Sequence, residues 1–262
     1  MEIEAKGIAV RFGAMALFDG VDLAMHAGEM VGLIGPNGSG KTTLLRVLAN
    51  LRVPEGGRVH YEGRTAAEIG RRELARRIAY LAQGGGVHWP MRVEALVALG
   101  RLPHRRPLQG LDAADRNAME QAMTAADVAS LRKRTMAQVS GGERMRVLLA
   151  RALAVDARVL LADEPIAALD PLHQLLVMEL LRAIAGKGRS VIVVLHDLAL
   201  AMRFCDRLVL LAGGGILAEG SPTQVLTDAH VARAYGVEVV RGERDGVPFV
   251  LPWTPTSQGT QP

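Results

Sequence analysis

Residues 2–12 and 17–25 alternate apolar with polar side chains, the two-residue period of half-buried antiparallel strands. The pattern then changes. Met30-Val31-Gly32-Leu33-Ile34 is apolar throughout and reads as a strand, whereas residues 44–49 carry helical spacing. Pro54-Glu55-Gly56-Gly57 predicts a turn between that helix and a short strand at 58–61. A basic helix is expected over 71–77 and a buried strand over 78–82, closed by Gln83 and followed by Gly84-Gly85-Gly86.

Strand signals stop there until about residue 155. Helical spacing recurs at 93–99, 113–125 and 142–154, which predicts a helical subdomain inserted at about 84–155. Strands return at 158–162, 190–195 and 207–211, with a helical run at 172–185. Strands alternating with helices argue for an α/β fold around a parallel core sheet, here with an N-terminal antiparallel β subdomain. Ser221-Pro222 reads as an N-cap with proline at the first helical position. A main domain at 2–236 is expected to end in a short tail, 237–262, with a hairpin around Arg244-Asp245-Gly246 and a disordered end from 257.

Composition narrows the setting. Hydrophobic content is 49% and aromatic content 3%, so Leu, Val, Ile and Ala carry the packing of 262 residues. The formal charge of +4 comes mostly from Arg; nucleic acid is one reading of that balance and a surface near anionic lipid another, while most of these arginines read as solvated faces. The single cysteine, Cys205, has no internal disulfide partner, which suits a reducing compartment. Glu2, Glu4 and Lys6 break any signal-like run, and the longest apolar stretch, 190–202, holds His196 and Asp197 and is too short to span a bilayer. The seven histidines are scattered with no metal-ligand spacing.

The chemistry begins at Gly35-Pro36-Asn37-Gly38-Ser39-Gly40-Lys41-Thr42, with Thr43 next, between the strand at 30–34 and the helix after it. Strand, G-x-x-x-x-G-K-[ST], helix is the P-loop arrangement. Its glycines let backbone N–H groups turn inward, and the new helix adds its positive end, so the loop cradles phosphates. Lys41 reaches the β- and γ-phosphates and the Thr42 hydroxyl ligates Mg²⁺. Residues 158–165, Arg-Val-Leu-Leu-Ala-Asp-Glu-Pro, form an apolar strand ending in two carboxylates. In a P-loop fold the first, Asp163, holds Mg²⁺ and the second, Glu164, can take the proton of the attacking water.

With these motifs and Val139-Ser140-Gly141-Gly142-Glu143 ahead of a helix, the chain resembles the ATPase subunit of an ABC transporter. The resemblance implies that Ser140, Gly141 and Gly142 serve the γ-phosphate of ATP on a partner's P-loop, so that a head-to-tail homodimer completes two sites. It implies that Phe12 stacks on adenine and that Gln83 contacts Mg²⁺ and the attacking water. It also implies that Asp170, in Ala168-Leu169-Asp170, lies in a loop crossing the dimer interface, and that His196 contacts the γ-phosphate. Val139 and Ile166 depart from the usual Leu and Thr, and the triple glycine after Gln83 departs from more varied residues. Gly100-Arg101-Leu102-Pro103-His104 resembles ATPases of importers for iron–siderophore, haem and cobalamin. That class implies transmembrane permease subunits, a periplasmic binding protein reached indirectly, and a peripheral position on the cytoplasmic face of the inner membrane. The alternative is a soluble ABC-type ATPase of translation or DNA repair. Such proteins usually carry two cassettes or a long coiled coil, whereas this chain has one cassette and no heptads, so no nucleic-acid partner is expected. The stretch 83–91, with His88-Trp89-Pro90, is expected to transmit motion to the permease.

Overall fold

The computed structural model describes residues 1–13, 15–84, 91–106 and 110–256. Period-two alternation becomes β1 (Ile3–Phe12) paired antiparallel with β2 (Met15–Met25); it turns Ile3 and Ala5 into the core and, after a register shift around Gly7 (φ 62°), resumes with Ile8 and Val10. Next come β3 (Met30–Ile34), α1 (Lys41–Leu48), β4 (Gly56–Tyr61), β5 (Arg64–Thr65), α2 (Ala66–Ile69), α3 (Arg71–Arg77) and β6 (Ile78–Leu81). The first sheet has the order β2-β1-β4-β5 and is antiparallel throughout.

Helices α4 (Val93–Ala98), α5 (Ala113–Ala125) and α6 (Gly141–Leu153) then pack on one another. They are followed by β7 (Val159–Asp163), α7 (Pro171–Gly186), β8 (Ser190–Val194), α8 (Leu198–Phe204), β9 (Arg207–Ala212) and β10 (Gly215–Gly220). The chain closes with α9 (Pro222–Val225), α10 (Asp228–Tyr235), β11 (Val237–Arg244) and β12 (Val247–Pro255).

The central sheet runs β10-β9-β3-β8-β7-β6, parallel except for the antiparallel edge strand β10. Both of its faces are covered. Met30 and Ile34 of β3 join the core beneath the helices, while Val31 and Leu33 join the core shared with α1 and the antiparallel sheet. Alternate side chains therefore enter different cores, so a buried parallel strand must be apolar throughout rather than alternating.

β11 and β12 join through Asp245-Gly246, both at positive φ (54° and 77°), as a two-residue type I′ turn requires. Val250 of this hairpin is fully buried in the helix-side core. The expected disordered end, 257–262, lies outside the described residues, as do Gly85, Gly86, His88, Trp89 and Pro90 of the expected hinge. Among the described residues no helix is long and apolar enough to cross a membrane.

Candidate active site

Four neighbouring parallel strands, β3, β8, β7 and β6, end on the same edge of the central sheet. The P-loop leaves β3, His196 follows β8, Asp163 and Glu164 end β7, and Gln83 follows β6. Open α/β sheets bind ligands at this carboxyl edge, where connections depart to opposite sides. Here β3 is flanked by β9 on one side and β8 on the other.

The P-loop needs its glycines for space as well as for conformation. Gly35 has φ 146°, and a Cβ there would lie 2.2 Å from the Leu211 carbonyl oxygen. Gly40 has φ 93°, and a Cβ there would lie 2.3 Å from the Phe18 ring. Lys41 opens α1 and is buried, and its Nζ donates to the Gly35 and Pro36 carbonyls, each at 2.8 Å. Burial pulls the Lys41 ammonium below its ordinary pKa, against the attraction of Glu164 and Asp163.

Asp163 is fully buried. Its carboxylate accepts the Thr42 hydroxyl at 2.9 Å and the Tyr80 hydroxyl at 3.3 Å. Burial pushes its pKa up, and the two hydroxyls only partly offset that. A buried carboxylate partnered by neutral hydroxyls fits a small divalent cation. No group of three or more His, Cys, Asp or Glu forms a metal cage among the described residues. That fits Mg²⁺, which is held by one or two protein oxygens plus water and phosphate.

Glu164 sits one residue on, at φ 50°, in the left-handed region that non-glycine residues seldom occupy and that clusters at functional sites. One carboxylate oxygen accepts from Gln83 Nε2 at 2.7 Å, and the other lies 2.7 Å from His196 Nε2. An ionised carboxylate only accepts, so the imidazole nitrogen is the donor. Glu164 and Gln83 also line a cleft of about 570 Å³ with the P-loop and Phe12. Phe12 is half exposed there, with the Arg52 guanidinium 4.3 Å from its ring centre.

Ser140 caps α6 through a reciprocal box: its hydroxyl accepts from the Glu143 amide at 3.2 Å, and its amide donates to the Glu143 carboxylate at 2.8 Å. The remaining first-turn amides, including those of Gly141 and Gly142, have no intrahelical partner, and this end of α6 is exposed. Asp170 caps α7, accepting from the His173 amide at 3.0 Å. Among the described residues, none of Ser140, Gly141, Gly142 and Asp170 lines the P-loop cleft. The protomer thus carries a phosphate cradle with its acid and, apart from it, an exposed helix end suited to an anion. Tyr80 and Arg52 join the site without any sequence signal, because their partners Asp163 and Phe12 are brought near by topology.

A family model described as "ABC transporter" matches residues 18–167. The hemin import ATP-binding protein HmuV of Pseudomonas fluorescens is 40% identical over 256 residues, covering 95% of this chain and 99% of that protein. A metal-chelate type ABC transporter in an inward-facing conformation shares the fold, with a TM-score of 0.82 at 21% identity over 96% of this chain and 97% of that one. A dimeric ATP-binding cassette bound to ADP and Pi, described as a post-hydrolysis state, has a TM-score of 0.73 at 27% identity, over 84% of this chain and 98% of that one. With the family model spanning the P-loop through the Asp163–Glu164 strand end, this chain belongs to the ABC transporter family as one of its ATP-hydrolysing subunits.

Proposed function

We propose that the chain powers a haem importer of the iron–siderophore, haem and cobalamin class. It acts as a head-to-tail homodimer beneath transmembrane permease subunits at the cytoplasmic face of the inner membrane, with a periplasmic binding protein delivering substrate from the far side. The substrate assignment rests on the relative named for hemin import, 40% identical over 95% of this chain.

The observation that carries the catalytic reading is the double hold on Glu164 beside Lys41, in a cleft that opens onto the P-loop. Phe12 stacks on adenine while Arg52 packs against its ring. Backbone N–H groups of the loop from Gly35 through Thr43, all but that of Pro36, which has none, hold the phosphates with the α1 N-terminus, and Lys41 exchanges its two carbonyl partners for phosphate oxygens. Thr42 and Asp163, with Gln83 close by, would hold Mg²⁺, which when bound neutralises charge on the β- and γ-phosphate oxygens.

Glu164 orients a water in line with the γ-phosphorus and takes its proton. His196 and Gln83 fix the carboxylate's direction, so little reorganisation remains at the moment of reaction. The water oxygen bonds to the γ-phosphorus as the bond from that phosphorus to the bridging oxygen breaks, so ADP leaves with the electron pair and inorganic phosphate carries the new oxygen. The partner's Ser140, Gly141 and Gly142 close the site over the γ-phosphate, and Asp170 steadies the loop beside them.

Reconstitution with its permease in vesicles tests the reading. ATP inside the equivalent of the cytoplasmic compartment is expected to drive hemin uptake. Uptake of a ferric siderophore or cobalamin in place of hemin would overturn the substrate, and ATP-independent uptake would overturn the coupling.

A further inference from the structure

Gly100-Arg101-Leu102-Pro103-His104 contributes no group to the nucleotide cleft described above. It lies instead at a junction of the protomer. Arg101 is buried, and its Nε donates to Asp115 of α5 at 2.8 Å. Its Nη1 donates to the carbonyls of Ala154 at 2.8 Å and Val155 at 3.4 Å, and His104 Nε2 lies 2.8 Å from the same Val155 oxygen. These carbonyls sit just past the C-terminus of α6, whose other end carries Ser140. Gly100 completes the fit, since a Cβ there would lie 2.2 Å from the Arg151 carbonyl oxygen.

The other side of the same segment is gripped from α3. Arg72 Nε and Arg76 Nε both donate to the Pro103 carbonyl, at 3.0 and 2.9 Å. Arg72 Nη2 also donates to the carbonyls of His104, at 3.4 Å, and Arg105. α3 runs directly into β6, which ends just before Gln83.

The two grips differ in kind. Arg101 is buried and multiply bonded, to Asp115 of α5 and to the carbonyls that close α6, so it fastens residues 100–105 to α5 and α6 as one body. The α3 grip is made of exposed or half-exposed arginines on bare carbonyls, where water competes for every bond. One joint is fixed, and the other can open and re-form.

We infer that residues 100–105 form a strut that sets the position of α6 against the α3–β6–Gln83 half of the protomer. Arg72 and Arg76 are its releasable anchor and act as positioning residues for ATP hydrolysis. The inference rests on the proposed role of Ser140 at a partner's nucleotide. A displacement of α6 carried through this strut moves Ser140 relative to Gln83, although neither Arg72 nor Arg76 lines the P-loop cleft.

The test is the Arg72→Ala/Arg76→Ala double variant of the full chain. ADP affinity, which reports the P-loop, is expected to stay at the wild-type value. kcat is expected to fall about tenfold, because small misplacements of a catalytic group are costly. ATP-driven dimerisation should need correspondingly more ATP. Arg72→Lys/Arg76→Lys, which keeps charge and donors, should recover most of the lost rate. Wild-type kcat in the alanine variant would overturn the strut, as would parallel losses of ADP affinity and kcat, or no recovery with lysine. If the double variant does not fold, the two single alanine variants are read by the same criteria. Ser140→Arg separates the two ideas. Normal hydrolysis by Ser140→Arg means that the composite site is wrong, whereas an inactive Ser140→Arg beside a fully active double variant means that only the strut is wrong.

Discussion

His196 Nε2 and Glu164 Oε1 lie 2.7 Å apart, joining the ends of adjacent strands β7 and β8 through their side chains. Gln83, beyond the neighbouring strand β6, holds the second carboxylate oxygen at the same distance. With both oxygens held and the backbone at φ 50°, the acid's orientation is fixed by three strand ends rather than by its own rotamer preference.

Glu164→Gln is the first consequence. An amide in place of the carboxylate cannot take a proton, and its NH₂ must face a donor from either His196 or Gln83. Hydrolysis is expected to fall by about 10²–10⁴-fold. MgATP binding should persist, because Lys41, Thr42 and Asp163 are untouched. An ATP-bound dimer should therefore accumulate and be visible by size-exclusion chromatography. Turnover near the wild-type rate would remove Glu164 from the role of base.

The separation of the Ser140 helix end from the P-loop cleft within one protomer leads to a mixing experiment. Lys41→Ala and Ser140→Arg should each be inactive alone. A heterodimer of the two carries both lesions in one site and none in the other. In an equal mixture about half of the dimers are heterodimers, each with one intact site of two, so activity should recover to about a quarter of the wild-type rate per dimer if the sites act independently. Normal hydrolysis by either variant at concentrations too dilute for dimers would break the link to the partner.

The legible parts of this chain were those where local pattern and fold coincide. The alternation of β1 and β2, the unbroken apolar run of β3 and the P-loop each carry their structure within a dozen residues. β10 went unread because its run, Gly-Ile-Leu-Ala-Glu-Gly, is glycine-bounded and pairs only as an antiparallel edge. α2 is a single turn, announced only by the Thr65–Glu68 capping box. Tyr80 and Arg52 could not be read at all. Tyr80 reaches Asp163 from the strand next to β7, and Arg52 reaches Phe12 across forty residues of chain. Such pairs exist only once the sheets are assembled.

Asp115 gives a prediction in stability. It is buried against Arg101, so Asp115→Ala leaves a buried guanidinium without its counter-ion, held only by the Ala154 and Val155 carbonyls, and should cost about 3–5 kcal/mol in urea unfolding.

The same pair has a pH signature. Burial acts to raise the Asp115 pKa, but the Arg101 hydrogen bond, the Asp112 amide and the Arg101 charge together outweigh it and hold the carboxyl below its ordinary value. A carboxyl depressed on folding contributes stability that is present above the unfolded value, about 3.9, and lost as pH falls through the folded value. The stability gap between wild type and Asp115→Asn should therefore be widest near neutrality and narrow below about pH 4. A gap independent of pH from 3 to 7, on the order of the full titration range, would mean that the ion pair is not formed.

Gly32, in the middle of the strand that delivers the P-loop, meets Cys205 and Leu208 at close quarters. A Cβ at position 32 would lie 2.5 Å from Leu208 Cδ2 and 2.8 Å from Cys205 Sγ, with no solvent to yield into. Gly32→Ala should thus overpack the core and destabilise the protein by about 1–3 kcal/mol. Cys205 supplies the readout. Burial, reinforced by Asp206, pushes its thiol up to about 12. The thiolate is the reactive form, so burial leaves the native thiol poorly poised to react. Labelling of the native protein by a thiol reagent should be slow, and Gly32→Ala should accelerate it by making the core open more often. Leu208→Ala removes the nearer obstacle. In the double variant the two losses should sum to less than their separate values, the sign of a shared contact in a double-mutant cycle. Additive losses would mean that residue 32 and Leu208 do not meet. Fast labelling of the wild-type protein would mean that Cys205 is not sealed beneath β3.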